Sequence, residues 1–287
     1  MSSQVWLVTG SSRGLGRQIV EAALAAGERV VATARDPDTL ADLVARYPGQ
    51  VRAVALDVTD AIAARAAVQT AIDVYGRLDV LVNNAGYGEL APFEQTDEAA
   101  FRAQIDTNFY GVVNLTRAAL PVMRSQRGGR ILQISSVGGR IGAPGLSAYQ
   151  AAKWAVGGFS EALSQEVAPF GVRISVLEPG GMRTGWGEIA GRNLPEIWPD
   201  YRPSVGALAE LLSQYLGNEN GDPAKVALAV LTVARMEDPP LHLLLGSDAL
   251  HFVDAAETAR TAQAQRWREL SVSIDHGAPA IPSLPQA

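Results

Sequence analysis

The 287-residue sequence predicts an α/β fold: a doubly wound, mostly parallel sheet of seven strands with helices on both faces. Three observations predict it. Short apolar runs alternate with amphipathic segments along most of the chain, and strands separated in this way by helices join as right-handed crossovers between parallel neighbours. The runs are continuously apolar instead of alternating, as strands are when helices cover both of their faces. Hydrophobic residues make up 47% and charged residues 19% of the chain, which suits a large buried core.

The strands are read at Val5–Thr9, Arg29–Ala34, Val51–Ala55, Leu78–Asn83, Arg130–Ser135, Arg173–Glu178 and Leu241–Leu245. Helical periodicity falls near Gly14–Ala26, Pro37–Tyr47, Ala61–Tyr75, Glu98–Ser125, Tyr149–Phe170 and Pro223–Met236. No linker splits this pattern, so residues 1–275 read as one domain. Residues 185–222 break the rhythm. They show no strand and carry Pro195, Pro199 and Pro203 beside Trp186, Trp198 and Tyr201. A loop of this length inside a compact domain reads as a lid or substrate-binding insert. Residues 276–287, rich in Pro and small side chains, read as a flexible tail.

Composition excludes several classes. The net charge is −6 with both signs interspersed, which argues against a nucleic-acid face or a membrane-seeking basic patch. No stretch approaches transmembrane length, and the run Val5–Val8 is too short for a signal sequence, so a cytoplasmic protein is expected. There is no cysteine, hence no disulfide, thiolate metal ligand or cysteine nucleophile. His242, His251 and His276 lack ligand spacing, so no metal site is expected. Only two of the 24 basic residues are lysines, Lys153 and Lys225, and each is a candidate for work arginine cannot do.

The first strand runs into Thr9-Gly10-Ser11-Ser12-Arg13-Gly14-Leu15-Gly16, which opens a helix. Gly10 permits a tight turn, Gly14 a close backbone approach to a diphosphate, and Gly16 close packing of helix and strand; the helix N-terminus offers N–H groups and a positive dipole end. This T-G-x-x-x-G-x-G spacing resembles the short-chain dehydrogenase/reductase family. The resemblance implies a Rossmann fold, with Gly10, Ser12, Arg13, Gly14, Leu15 and Gly16 at the cofactor. An NAD enzyme of this shape places an acidic residue at the end of the second strand, where this chain has Ala34 followed by Arg35. Guanidinium groups at Arg35 and Arg13 suit a 2′-phosphate, so NADP(H) is expected over NAD(H). Asp57-Val58 resembles the family pair that contacts adenine. Asn83-Asn84-Ala85-Gly86 resembles the N-N-A-G motif, with Asn84 near the adenine ribose.

Tyr149 and Lys153 stand four apart at the start of a helical pattern, on one face. Ser136 lies thirteen residues before the tyrosine, the family's usual separation, and Ser135 is expected to point to the other side of its strand. Asn108 resembles the asparagine that kinks the long fourth helix. The resemblance implies that Tyr149 is the acid–base group, lowered in pKa by Lys153 together with oxidised nicotinamide. Ser136 would hold the carbonyl oxygen, Asn108 would position a relay water, and Lys153 would also bind the nicotinamide ribose. Pro179-Gly180-Gly181-Met182-Arg183-Thr184 is similar to P-G-x-x-x-T, so Pro179 and Thr184 would frame the nicotinamide.

The implied reaction interconverts a ketone or aldehyde and its alcohol on a small, apolar substrate. Arg183 and Arg140 are the candidates should that substrate carry a carboxylate or phosphate. Apolar or small residues cover more than one face of Phe101–Met123 and Ala151–Leu163, helices that pair subunits in the family, so a homodimer or homotetramer is expected. A non-catalytic NADP-sensing or scaffold protein would lack Tyr149 or Lys153, and a dehalogenase-like relative would lack the glycine turn; this chain has all three.

Overall fold

A computed structural model describes residues 3–185, 187, 190, 191 and 193–277. Trp186, noted among the insert aromatics, and residues 278–287 of the expected tail lie outside the described residues. Seven strands form one parallel sheet: β1 (Val5–Val8), β2 (Arg29–Ala34), β3 (Val51–Ala55), β4 (Val80–Asn83), β5 (Gly129–Ile134), β6 (Val172–Pro179) and β7 (His242–Leu245). Their order is β3-β2-β1-β4-β5-β6-β7, the doubly wound arrangement of the Rossmann fold. The order reverses between β1 and β4, so their carboxyl ends open a crevice where such sheets bind ligands.

Successive side chains of a strand point to opposite faces, and here both faces are buried. Val5 and Leu7 of β1 join one core with Val31, Leu81 and Ile131; Trp6 and Val8 join the other with Val30, Val80 and Val82. This is why the strands read as unbroken apolar runs. The helices α1 (Gly14–Ala25) and α2 (Ala41–Arg46) cover the Trp6 face through Ile19, Val20 and Leu43. Helices α3 (Ala61–Tyr75), α5 (Gly111–Gln126) and α6 (Ser147–Val167) cover the other through Val68, Leu115 and Leu163.

The single helix expected over Glu98–Ser125 is three pieces. Helix α4 (Glu98–Ile105) passes into α5 through a π-helical turn, Asp106–Tyr110, which holds Asn108. The Asn108 amide nitrogen donates to Gln104 O at 2.8 Å and to Tyr87 O at 2.7 Å, and the widened turn gives that side chain its direction.

Residues 185–222 are not simply loop. Their apolar residues build a satellite core: Leu194, Ile197, Tyr201, Val205, Leu208 and Leu212 pack with Leu90 and Leu146 at the carboxyl edge of the sheet. Helix α7 (Ala207–Tyr215) belongs to it. Helix α8 (Pro223–Arg235) then returns to the Trp6 face, capped by Asp222, whose carboxylate accepts from Ala224 N–H. Two further helices follow β7: α9 (Ser247–Arg266) and α10 (Arg268–Val272). Among the described residues no helix is long and apolar enough to cross a membrane.

Candidate active site

The glycine turn sits between the ends of β1, β2 and β4. Thr9 Oγ1 accepts from the N–H groups of Asn84 and Ala85, both at 2.9 Å, and Ser11 N–H donates to Thr33 O at 2.8 Å. The amide nitrogen of Asn84 donates to Thr9 O (2.9 Å) and Gly10 O (3.3 Å). Those N–H groups are thus spent on holding the turn, a structural task the sequence did not suggest for the residue expected beside the ribose. The glycines are fixed by space. A methyl group on Gly16 would stand 2.2 Å from Gly10 O, and one on Gly10, whose φ is +68°, 2.9 Å from Ala85 Cα.

Three features of this turn fit a dinucleotide. Arg13 precedes α1 in an extended conformation, with no side-chain cap and no acidic residue in the first turn. The first N–H groups of the helix therefore face the cleft without an internal acceptor. Gly14 is open: nothing stands closer than 3.7 Å to a methyl group there, and what stands at that distance is Thr184, on the loop after β6. A groove of about 280 Å³ between Gly14, Arg17 and Gln18 on one side and Arg183, Asp222 and Pro223 on the other leads to this point. Arg13 and Arg35 are both exposed beside the turn, while Ala34 is buried and offers no carboxylate. Ser12 is half-buried, and Leu15 turns its side chain into the core.

Asp57 lies at the end of β3, its carboxyl held below the usual range by the backbone N–H of Thr59, then by that residue's hydroxyl, with a smaller contribution from the charge of Arg35. Val58 packs on Gly111 of α5, and its carbonyl accepts from Asn114 at 3.0 Å. Pro179 closes β6 beside Leu245 of β7.

The second cluster lies at the end of β5. Helix α6 buries Tyr149 and Lys153, 8% and 5% exposed, on its inner face. Lys153 Nζ donates to Ile134 O at 2.8 Å and stands 5.7 Å from the centre of the Tyr149 ring. Ser136 Oγ accepts from Gly138 N–H at 3.0 Å and lies within hydrogen-bond reach of the Tyr149 phenol. The neighbouring Ser135 hydroxyl turns instead toward Lys153 O at 3.5 Å, as the strand alternation predicts.

Asn108 is fully buried, and its Oδ1 has no hydrogen-bond partner among the described residues. A methyl group on Gly86 would stand 2.5 Å from that oxygen and 3.6 Å from Lys153 Nζ, so Gly86 keeps open the space the two share. Gly139 does the same at Lys153 O (3.0 Å), letting the loop after β5 lie against α6. Neither glycine stood out as functional in the sequence, although Gly86 closes the N-N-A-G motif.

Burial sets the electrostatics. It pushes the Lys153 ammonium down to about 8. It also pushes the Tyr149 phenol up, with Ser136 acting in the opposite direction. In the protein by itself, desolvation of Tyr149 outweighs the hydrogen bond with Ser136.

The arginines considered for a substrate anion are otherwise engaged. Arg140 pairs with Glu178 and Glu257, and Arg183 Nε donates to Glu219 O at 3.0 Å. Among the described residues no group of three His, Asp or Glu side chains is placed to hold a metal ion.

The short chain dehydrogenase family model matches residues 4–193, from the glycine turn through the Tyr149 helix and the loop after β6. The chain belongs to the short-chain dehydrogenase/reductase family. This dehydrogenase is 49% identical to oxidoreductase BOA17 of Botryotinia fuckeliana over 94% of its own length and 99% of that protein's. The crystal structure of a short-chain dehydrogenase from Streptomyces avermitilis matches it with a TM-score of 0.88 and 42% identity, covering 96% of this chain and 100% of that one. A metagenomic short-chain oxidoreductase solved in complex with NADP matches with a TM-score of 0.68 and 28% identity, over 85% of this chain and 97% of the other.

Proposed function

We propose that this dehydrogenase interconverts a ketone or aldehyde and its alcohol with NADP(H), using Tyr149 as general acid and base. The observation that carries the reading is the burial of Tyr149 and Lys153 at the carboxyl end of β5, with the half-buried Ser136 within hydrogen-bond reach of the phenol. A bound nicotinamide would supply the hydride in reduction and accept it in oxidation. Tyr149 donates its phenolic proton to the carbonyl oxygen as hydride reaches carbon, and recovers a proton in the reverse direction. Ser136 Oγ accepts from Gly138 N–H, and its O–H, beside the Tyr149 phenol, is the donor that would hold that oxygen.

Phenolate is unfavourable in so dry a site, and the ammonium of Lys153 is the charge available to offset it. With a pKa of about 8, Lys153 is still protonated by roughly ten to one at pH 7, yet close enough to neutrality to pass a proton on. The free Oδ1 of Asn108 suits a water that links Lys153 to solvent. Gly10, Ser12, Gly14, Leu15 and Gly16 would bind the diphosphate, Asp57 and Val58 the adenine side, and Pro179 and Thr184 the nicotinamide side. Arg13 and Arg35, with no carboxylate on Ala34, favour the 2′-phosphate, and a structural relative has been solved with NADP.

Residues 1–275 act as one catalytic domain in this reading. The apolar satellite core beside the cleft favours an apolar substrate and makes residues 185–222 its cover. The outer face of α6 exposes Ala151, Trp154, Gly158 and Ala162, which suits pairing of subunits into a homodimer or homotetramer. Loss of NADPH absorbance with a panel of aldehydes and ketones, run in parallel with NADH, tests the function. Turnover favouring NADPH supports it; dinucleotide binding without turnover of any carbonyl would contradict it.

A further inference from the structure

Helix α9 touches both loops that frame the site, and at each it does so with charge. In its first turn Asp248 Oδ2 accepts from Gly181 N–H at 2.8 Å, across the chain and not within its own helix. The loop has closed on this carboxylate as far as glycine allows: a methyl group on Gly180 would stand 2.3 Å from both oxygens. Nine residues further on, Glu257 pairs with Arg140, and Arg260 donates to Arg140 O at 3.0 Å while lying 5.4 Å over the ring of Trp154. Arg140 ends the short turn that begins at Ser136, and its other arm reaches Glu178 at 3.3 Å, a β6 carboxylate only 1% exposed. Only Ala249 and Val253 of this helix are buried, so beyond Val253 its contact with the body is made by the charged groups Glu257 and Arg260.

We propose that α9 is a brace for the active site. Asp248 is a positioning residue for the Pro179–Thr184 loop and so for the dinucleotide. Glu257, acting through Arg140, is a positioning residue for Ser136. The inference rests on the functional reading above, because it assigns the two loops to cofactor and substrate.

The test uses the full-length protein and three variants: Asp248→Ala, Asp248→Asn and Glu257→Ala. For each, the dissociation constant for NADPH is measured by fluorescence, and kcat and KM on the best carbonyl substrate. Asp248→Ala should weaken NADPH binding roughly tenfold, with KM for NADPH rising more than kcat falls. Asp248→Asn, which keeps an acceptor for Gly181 N–H, should restore binding to within about twofold of wild type. Glu257→Ala should lower kcat and leave NADPH binding unchanged. The brace is overturned if the alanine variants differ from wild type only in the amount of folded protein, or if asparagine does no better than alanine at 248. A wild-type protein that binds NADPH but turns over no carbonyl sinks the functional reading instead, and the binding data on the Asp248 variants still decide the first half of the brace.

Discussion

His242 Nδ1 lies 3.1 Å from Oε1 of Glu178, joining β7 to a buried carboxylate of β6. The other ring nitrogen meets Glu161 of α6 at 3.0 Å. The hydrogen bond that the His242 ring donates to Glu178 is the largest influence and raises the His242 pKa above its ordinary value; burial and the charge of Arg140 work against it. A raised folded-state pKa means that the stabilisation is complete below the unfolded value of about 6.5 and fades as pH climbs through the folded one. The melting temperature of wild type relative to His242→Gln should therefore fall across that window. A difference that stays constant with pH would contradict the assignment.

Gly16 and Gly14 separate two reasons for a glycine. Gly16→Ala drives a methyl group into Gly10 O and the Asn84 amide, so it should cost about 1–3 kcal/mol or more and abolish NADPH binding. Gly14→Ala meets only ordinary contact with Thr184 at 3.7 Å and carries the strain of φ +56°, about 1–2 kcal/mol. Chemical denaturation of both variants should rank Gly16→Ala as the worse; the reverse order would mean the turn is packed otherwise.

Lys153 is held as a buried cation at neutral pH, and that has a measurable cost. Its folded pKa of about 8 lies below the unfolded value, so its contribution is fully present only above about 10.5 and is lost as pH falls through about 8. Wild type should gain stability relative to Lys153→Met as pH rises between these values, while the variant loses turnover at least a hundredfold. Parallel stability curves, or a Met variant with normal turnover, would contradict this.

Arg35 is expected to discriminate between dinucleotides. Arg35→Ala should raise KM for NADPH roughly tenfold and change KM for NADH little. Steady-state kinetics with both cofactors check it, and equal effects on the two would remove Arg35 from 2′-phosphate recognition.

The central strands were legible because they are buried on both faces, so apolar runs such as Val5–Val8 carry no competing signal, while the edge strands β3 and β7 are only partly buried. The fourth strand begins at Val80 and not at Leu78, because Leu78 N–H and C=O pair with the Gln126 side chain outside the ladder. The π turn at Asp106–Tyr110 could not be read from periodicity, since it is one widened turn, closed by Gly111 N–H on Asp106 O, within an otherwise α-helical run. Helix α7 was hidden by its brevity within a proline-rich segment. Helix α9 was hidden because few of its residues, such as Ala249 and Val253, are buried.

In the site, the glycine turn and the Tyr149–Lys153 pair were legible because their chemistry depends on local spacing. The engagement of Arg140 and Arg183 was not, since their partners, Glu178, Glu257 and Glu219, lie 36 to 117 residues away. Nor was the task of Asn84, which bonds to a turn 74 residues before it.

The measurement that bears most directly on the account is single-turnover reduction by Tyr149→Phe, with NADPH binding followed by fluorescence in the same preparation. The phenyl ring keeps the packing of the buried site and removes only the acid. NADPH binding should be unchanged and the hydride-transfer rate lower by on the order of a hundredfold or more. A folded Tyr149→Phe protein that binds NADPH and reduces substrate at the wild-type rate would contradict it.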